Sequence, residues 1–225
     1  MNITISSIYF SPVKSISFQQ ISKCQIKQSI GIINDRLFAF SRLLDIRKAQ
    51  SMEKDPGVRK LSNFLTLKNT PELNKYLFEY NKGKLELFKN KKSLISIDPN
   101  NLKETRLLEK EISNLINLVK SPIFLLKNKN KPFFDTNSGG EVMNSISLIN
   151  YNSIKHIEDK ISQKVEHQRF RGNFYIEGLP PWKERDLLGK IIKINGVSTI
   201  CVARLSSPNR YPVIPVSKNV MVKNQ

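Results

Sequence analysis

The residues best suited to chemistry in this chain are three groups of cations and amides. Arg169, Arg171 and Asn173 alternate through Arg169-Phe170-Arg171-Gly172-Asn173. Period-two spacing in a strand puts all three side chains on one face, with Phe170 on the other. Two guanidiniums and an amide on one face suit a phosphate or another planar anion, and an exposed face with ordinary ion pairs is the plainer alternative. Lys14 and Ser15 follow Pro12, which ends a strand pattern and fixes the direction of the chain. From that corner one side chain offers charge and the other a hydroxyl; a solvated turn would look the same. Arg36 follows Gly31 and Asp35, and its fork suits bidentate contact with an oxyanion. A purely structural Asp–Arg pair fits as well.

Other chemistries find little support. His156 and His167 are the two histidines, and neither lies beside a nucleophile in a known arrangement. No glycine-rich phosphate loop of the usual spacings occurs. Cys24 and Cys201 form neither a disulfide framework nor a metal spacing with the histidines, so a reduced, cytoplasmic setting is expected. Glu184 and Asp186 follow Pro180-Pro181-Trp182, a stiff loop in which Glu184 is expected to be structural or to lie at a pocket rim.

The elements that must position these residues are mostly short strands. Ile3 to Phe10, Ile21 to Ile26, Leu37 to Phe40, Phe64 to Leu67, Leu77 to Tyr80, Leu85 to Phe88 and Leu94 to Ile97 read as strands, with a hairpin turn at Asn81 to Lys84. Ser41 to Val58 is polar and reads as a long mobile loop. Asn101 and Glu104 signal a helix start, continued by Leu108, Ile112, Leu115, Ile116 and Val119. A second helix begins near Asn152. Strands are expected again at Phe174 to Ile176, Ile191 to Ile194 and Thr199 to Ala203, the last two joined by a turn at Asn195-Gly196. Many short strands with little helix predict a mainly β chain, a barrel or sandwich.

Six fragments in order resemble the MOSC family, named for the C-terminal domain of molybdenum cofactor sulfurase. They are Ser11-Pro12-Val13-Lys14-Ser15, Gly31-Ile32-Ile33-Asn34-Asp35-Arg36, Asn63-Phe64-Leu65-Thr66-Leu67, Ser145 to Asn150, Arg169 to Asn173, and Gly178-Leu179-Pro180-Pro181-Trp182-Lys183-Glu184. The resemblance runs from about Ile3 to about Arg204. It implies an N-terminal β-barrel-like domain over residues 1–98 packed on a MOSC β-barrel over 99–225, with a few helices and an atypical or truncated C-terminal part. It implies binding of the molybdenum cofactor, a phosphorylated pterin, with Lys14, Ser15, Arg36, Arg169, Arg171, Asn173 and Arg204 as the binding residues. Family members transfer sulfur to that cofactor, or use it to reduce N-hydroxylated compounds with an electron-carrier protein as partner. One departure stands out. Where the family carries a metal-binding cysteine after an arginine, this chain has Arg204-Leu205. A leucine cannot ligate, so no metal ligand is assigned and the cofactor is expected without stably held metal. Cys201 is read as a small buried hydrophobe. A non-catalytic cofactor carrier, or a degenerate member, is therefore an alternative to an active enzyme.

Composition adds a third reading. The chain has 225 residues with 37 Lys and Arg against 19 Asp and Glu, a net charge of +18. Such a balance fits a basic nucleic-acid-binding β-barrel. The lysines are spread along the whole chain, however, and the aromatic fraction of 8% offers no stacking platform, which disfavours nucleic acid as a partner. No apolar run reaches the roughly 20 residues of a membrane span, and no membrane partner is expected.

Overall fold

A computed structural model describes residues 3–16, 18–28, 30–117, 122–134, 146–188, 190–194, 198–201, 213–214 and 220–223. The chain is mainly β. Its strands are β1 (Thr4–Phe10), β2 (Gln19–Ile21), β3 (Lys23–Lys27), β4 (Gly31–Ile32), β5 (Phe38–Arg42), β6 (Tyr76–Asn81), β7 (Lys84–Lys89), β8 (Lys92–Ile97), β9 (Ile123–Lys127), β10 (Ile146–Asn150), β11 (Phe174–Glu177), β12 (Ile191–Ile194), β13 (Ser198–Cys201), β14 (Val213–Ile214) and β15 (Val220–Lys223). Three helices accompany them: α1 (Ile46–Lys54), α2 (Leu102–Leu115) and α3 (Tyr151–Ile161). Among the described residues the sheets are small and open, and none closes into a barrel. No helix among them is long and apolar enough to cross a membrane.

The chain divides into two compact units that interleave along the sequence. The first holds Met1–Phe10, Gln20–Ile33 and Gly140–Gln225. Its largest sheet has the order β14-β10-β11-β1-β2. Strands β10 and β11 are parallel, which demands a crossover, and α3 supplies it. Asn150 ends β10 and caps α3 by accepting from the Asn152 N–H at 3.1 Å. Ile5, Ile8, Phe10, Leu148, Phe174 and Ile176 belong to the core of this unit.

The second unit holds Ser11–Gln19 and Asn34–Gly139. Its β6-β7-β8 meander follows the expected strands closely. Phe78, Leu85, Leu87 and Ile97 alternate inward, onto Leu108 and Ile112 of α2. Asn101 caps α2 as expected, accepting from the Lys103 and Glu104 N–H groups. Glu104 reaches back past the usual capping-box partner to the Asp98 N–H at 2.6 Å.

Two sequence expectations change here. The polar stretch from Ser41 to Val58 contains the end of β5 and the ordered helix α1, capped by Asp45. Only Ala49 and Met52 of α1 are buried, too few apolar positions to announce a helix in the sequence. Phe64 to Leu67 makes a single bridge, Ser41 to Phe64, rather than a strand. The expected turn at Asn195-Gly196 lies outside the described residues.

Among the described residues strand β9 pairs with β5 and no other strand. On its other edge, two helices supply the missing acceptors. The Leu125 N–H donates to Glu109 Oε1 of α2 at 2.8 Å, and the Lys127 N–H to Glu53 Oε1 of α1 at 2.9 Å. Burial pushes the Glu109 carboxyl above its ordinary range, against the Leu125 hydrogen bond and Arg106, which pull it down. A carboxyl raised in the folded state favours folding while protonated, and that contribution is lost as pH rises through the ordinary carboxyl range towards the raised value. Glu109→Gln keeps an acceptor for Leu125 and removes the buried charge. Its thermal midpoint should equal or exceed that of the unmodified protein at pH 7, and the difference should shrink towards pH 4. A loss growing with acidity in melts across that range would contradict this.

Candidate functional site

The candidate residues fall into one group in each unit. In the second unit Asp35 is 1% exposed, and it organises the corner after β1. Its Oδ1 accepts from the Ser11 N–H at 2.8 Å, and Oδ2 accepts from Arg36 Nη1. Arg36 sits in the left-handed region, φ 52°, held on both sides of its backbone. Its N–H donates to the Ser11 carbonyl at 2.6 Å, and its carbonyl accepts from the Phe133 N–H at 2.8 Å. The guanidinium carbon lies 5.2 Å from the Phe134 ring centre and 5.5 Å from that of Phe18. Part of the Arg36 side chain, 19%, remains open to solvent. Ser15 is half-buried with φ 62°.

Lys14 occupies a different setting from the solvated corner that the sequence allowed. It is 5% exposed, and its Nζ donates to the carbonyls of Phe133 at 3.3 Å and Phe134 at 3.0 Å. The ammonium lies 5.5 Å from the Phe64 ring centre. A desolvated ammonium must be satisfied by something, and backbone carbonyls supply it here. Its role in the structure is to fix the 133–134 backbone beside Arg36.

Arg59 completes this arrangement, and no pattern in the sequence marked it. It is 5% exposed. It donates to the carbonyls of Met52 at 2.8 Å, Glu53 at 3.2 Å, Lys131 at 2.9 Å and Pro132 at 3.0 Å, and lies 4.2 Å from the Phe133 ring centre. Four consecutive carbonyls, 131 to 134, therefore accept from two buried cations.

In the first unit the expected strand over Arg169 to Asn173 is replaced by a turn. Residues His167–Phe170 form a 3-10 helix, Arg171 caps it in the left-handed region at φ 54°, and β11 starts only at Phe174. The Tyr175 hydroxyl closes the turn by donating to the His167 carbonyl at 2.7 Å and accepting the Gly172 N–H at 3.3 Å. The period-two face therefore does not form. Arg169 is exposed, Arg171 half-buried and Asn173 buried. Asn173 joins three strands: its Oδ1 accepts from the Ser147 hydroxyl at 3.0 Å, its Nδ2 donates to the Tyr9 carbonyl at 3.2 Å, and its N–H donates to Ser147 Oγ at 2.9 Å. Tyr9 also pairs with His167 Nε2 at 3.0 Å.

Glu184 is buried, as a structural role requires. Ser153 Oγ donates to its carboxylate, 2.7 and 2.9 Å from the two oxygens, and Asn150 Nδ2 donates at 3.0 Å. Asn150 is the cap of α3 and Ser153 lies in its first turn, where the helix dipole also favours a negative charge. Trp182 is 39% exposed, edge-on to His156 at 5.8 Å, so it is only a partial anchor for its loop.

Arg204 and Leu205 lie outside the described residues. Cys201 pairs with Ile191 in the β12–β13 hairpin. Cys24 is buried in the core of the first unit. Among the described residues no three His, Cys, Asp or Glu side chains gather in a way that could hold a metal ion. Arg36 and Ser15 lie in the second unit, and Arg169 and Arg171 in the first. No protein-family model matches the chain, and no curated protein matches it.

Proposed function

We propose that this chain binds the phosphorylated pterin of the molybdenum cofactor, as a MOSC-like protein of two barrel-type domains working in a reducing cytoplasm. The observation that carries the reading is Arg36: a buried carboxylate and two aromatic rings hold its guanidinium, which is still partly open to solvent. A fork fixed in this way loses little freedom on meeting a phosphate. Arg171, whose backbone caps its turn, offers a fork in the other unit, and Asn173 sets the turn's position. Arg204 would add a further cation.

Bound molybdenum would supply two-electron redox or sulfur-transfer chemistry. Leu205 offers it no protein thiolate, so the favoured role is carrying the pterin rather than turning over a substrate. An electron-carrier partner belongs to the active alternative.

The test is pterin fluorescence and elemental analysis on protein purified from a host that makes the cofactor. Pterin should be present, with molybdenum well below one per chain. Arg36→Ala and Arg171→Ala should each weaken pterin retention about tenfold, the worth of one charge-assisted hydrogen bond. Lys14→Ala should act mainly on the melting temperature, because its ammonium is spent on carbonyls. Leu205→Cys should raise the molybdenum content. Protein that carries no pterin, and takes none up when it is supplied, would overturn the reading.

A further inference from the structure

The β6-β7-β8 meander has two tight turns of the same kind that differ in how much cationic charge they gather and how much of it is paired. Lys82-Gly83 joins β6 to β7 with φ of 48° and 81°, and Asn90-Lys91 joins β7 to β8 with φ of 50° and 65°. Both are two-residue loops with positive φ throughout, the type I′ requirement, for which glycine is the favoured second residue. The first turn follows that rule. The second places Lys91 there, in a conformation that side chains resist. Lys89 and Lys92, which flank it, stand directly opposite one another, a like-charge pair that weakens a hairpin. Lys75 adds a fourth cation beside Tyr76, the residue paired with Lys89.

Neutralisation differs as well. At the first turn Lys84 pairs with Glu104 at 3.8 Å. At the second, Lys75, Lys89, Lys91 and Lys92 are all exposed, and among the described residues none forms an ion pair, Glu72 three positions before Lys75 included. One end of this small sheet thus accepts backbone strain and charge repulsion, and the same meander shows that neither is needed to make the turn. Local costs gathered at one place mark function better than a general excess of lysine does.

From this geometry we infer that the β7–β8 end of the meander docks on the phosphodiester backbone of nucleic acid without reading sequence. The strands are about 4.8 Å apart, so lysines on neighbouring strands form a row that a line of phosphates can follow. Protein partners are the weaker fit. Lysine is depleted from protein interfaces, which rely on exposed aromatic or arginine anchors. Of the two rings at this end, Tyr76 is buried beneath Lys89, whose ammonium lies 5.6 Å from its centre, and Phe88 is half-buried. Among the described residues no fully exposed ring stands at this end, which favours backbone contact over base stacking. The other lysines keep their role as solvated surface.

The experiment is fluorescence anisotropy of a labelled duplex of about 20 base pairs at about 50 mM salt and upward. Lys89→Glu, Lys91→Glu and Lys92→Glu together should weaken binding at least tenfold, and should cut the slope of log K against log salt by roughly 2 to 3. Reversing the exposed Lys103, Lys129 and Lys155 changes net charge equally and should cost less than about threefold. Lys91→Gly is the check on folding: it should raise the melting temperature while weakening binding about twofold. Equal losses from the two triple variants would overturn the inference, as would an unmodified protein that binds no duplex. Tighter binding of a polyglutamate peptide than of duplex would also overturn it, in favour of an acidic protein surface.

Discussion

Arg59→Met is expected to lower stability by about 3–5 kcal/mol, the cost of breaking a buried, hydrogen-bonded charge site from one side. The methionine fills much of the volume but donates nothing. The carbonyls of Met52, Glu53, Lys131 and Pro132 then lose a shared donor. With domains generally stable by about 5–15 kcal/mol, such a variant would stand near its unfolding transition at body temperature. Arg59→Lys should recover only part of the loss, since one ammonium cannot reach four carbonyls in two segments. Burial pushes the guanidinium down to about 10, with Asp55 and Glu53 opposing. For a cation lowered in this way the burial penalty is in force at every pH below that value and is relieved only as pH climbs through it. The effect of Arg59→Met should therefore be flat from pH 5 to 8 in chemical denaturation. A loss under about 1 kcal/mol, below even one ordinary unsatisfied buried group, would show that the four bonds are not holding this region.

The second large effect is expected at Gly172, between Arg171 and Asn173. A Cβ there would lie 2.3 Å from Ile149 Cγ1, and Ile149 is a 1%-exposed core residue of β10. Neither the strand nor its neighbour can yield cheaply, so Gly172→Ala should cost about 1–3 kcal/mol or more. It should also displace the turn that carries Arg171 and so weaken pterin retention more than Arg171→Ala does. Ile149→Ala removes the obstructing atoms and leaves a cavity of its own, at about 2–5 kcal/mol when made alone. Together the two changes should cost clearly less than their sum, because each occupies the space the other vacates. Strict additivity in thermal or denaturant melts would show that the clash is not the cause.

The parts of the fold that the sequence announced are those whose signal is local. The meander could be read from alternation at Phe78, Leu85 and Leu87, and α2 from Asn101 with Leu108 and Ile112. β11 was visible in Phe174 to Ile176. Helix α1 was hidden because it buries only two side chains and relies on Asp45 at its start. The turn at 167–171 was misread because the alternation there lies in charged residues, which follow solvent and not the pleat. What closes that turn is a hydroxyl from Tyr175, four residues beyond it. For the candidate site, the sequence singled out Arg36 and Asp35 and left their roles open. The burial of Lys14 depends on carbonyls 119 and 120 positions away, and Arg59 on carbonyls 72 and 73 away, and no local rule carries such information. Glu184 is an intermediate case. Its loop was legible, and its partners on α3 follow from the crossover between two parallel strands.

The carboxylates along the outer edge of β9 bear on the order in which the chain assembles. The Glu109 contact spans 16 positions and the Glu53 contact 74. Closing the shorter loop costs less entropy, so α2 can dock on β9 early, whereas α1 must wait for a longer segment to return. In the interval the Lys127 N–H faces outward, a donor that a second copy of the chain could take up by strand addition. Once Glu53 arrives, that register is closed by a side chain rather than by another strand. With both the Leu125 and the Lys127 donors taken by side chains, the hazard of self-pairing along this edge falls once the chain has folded.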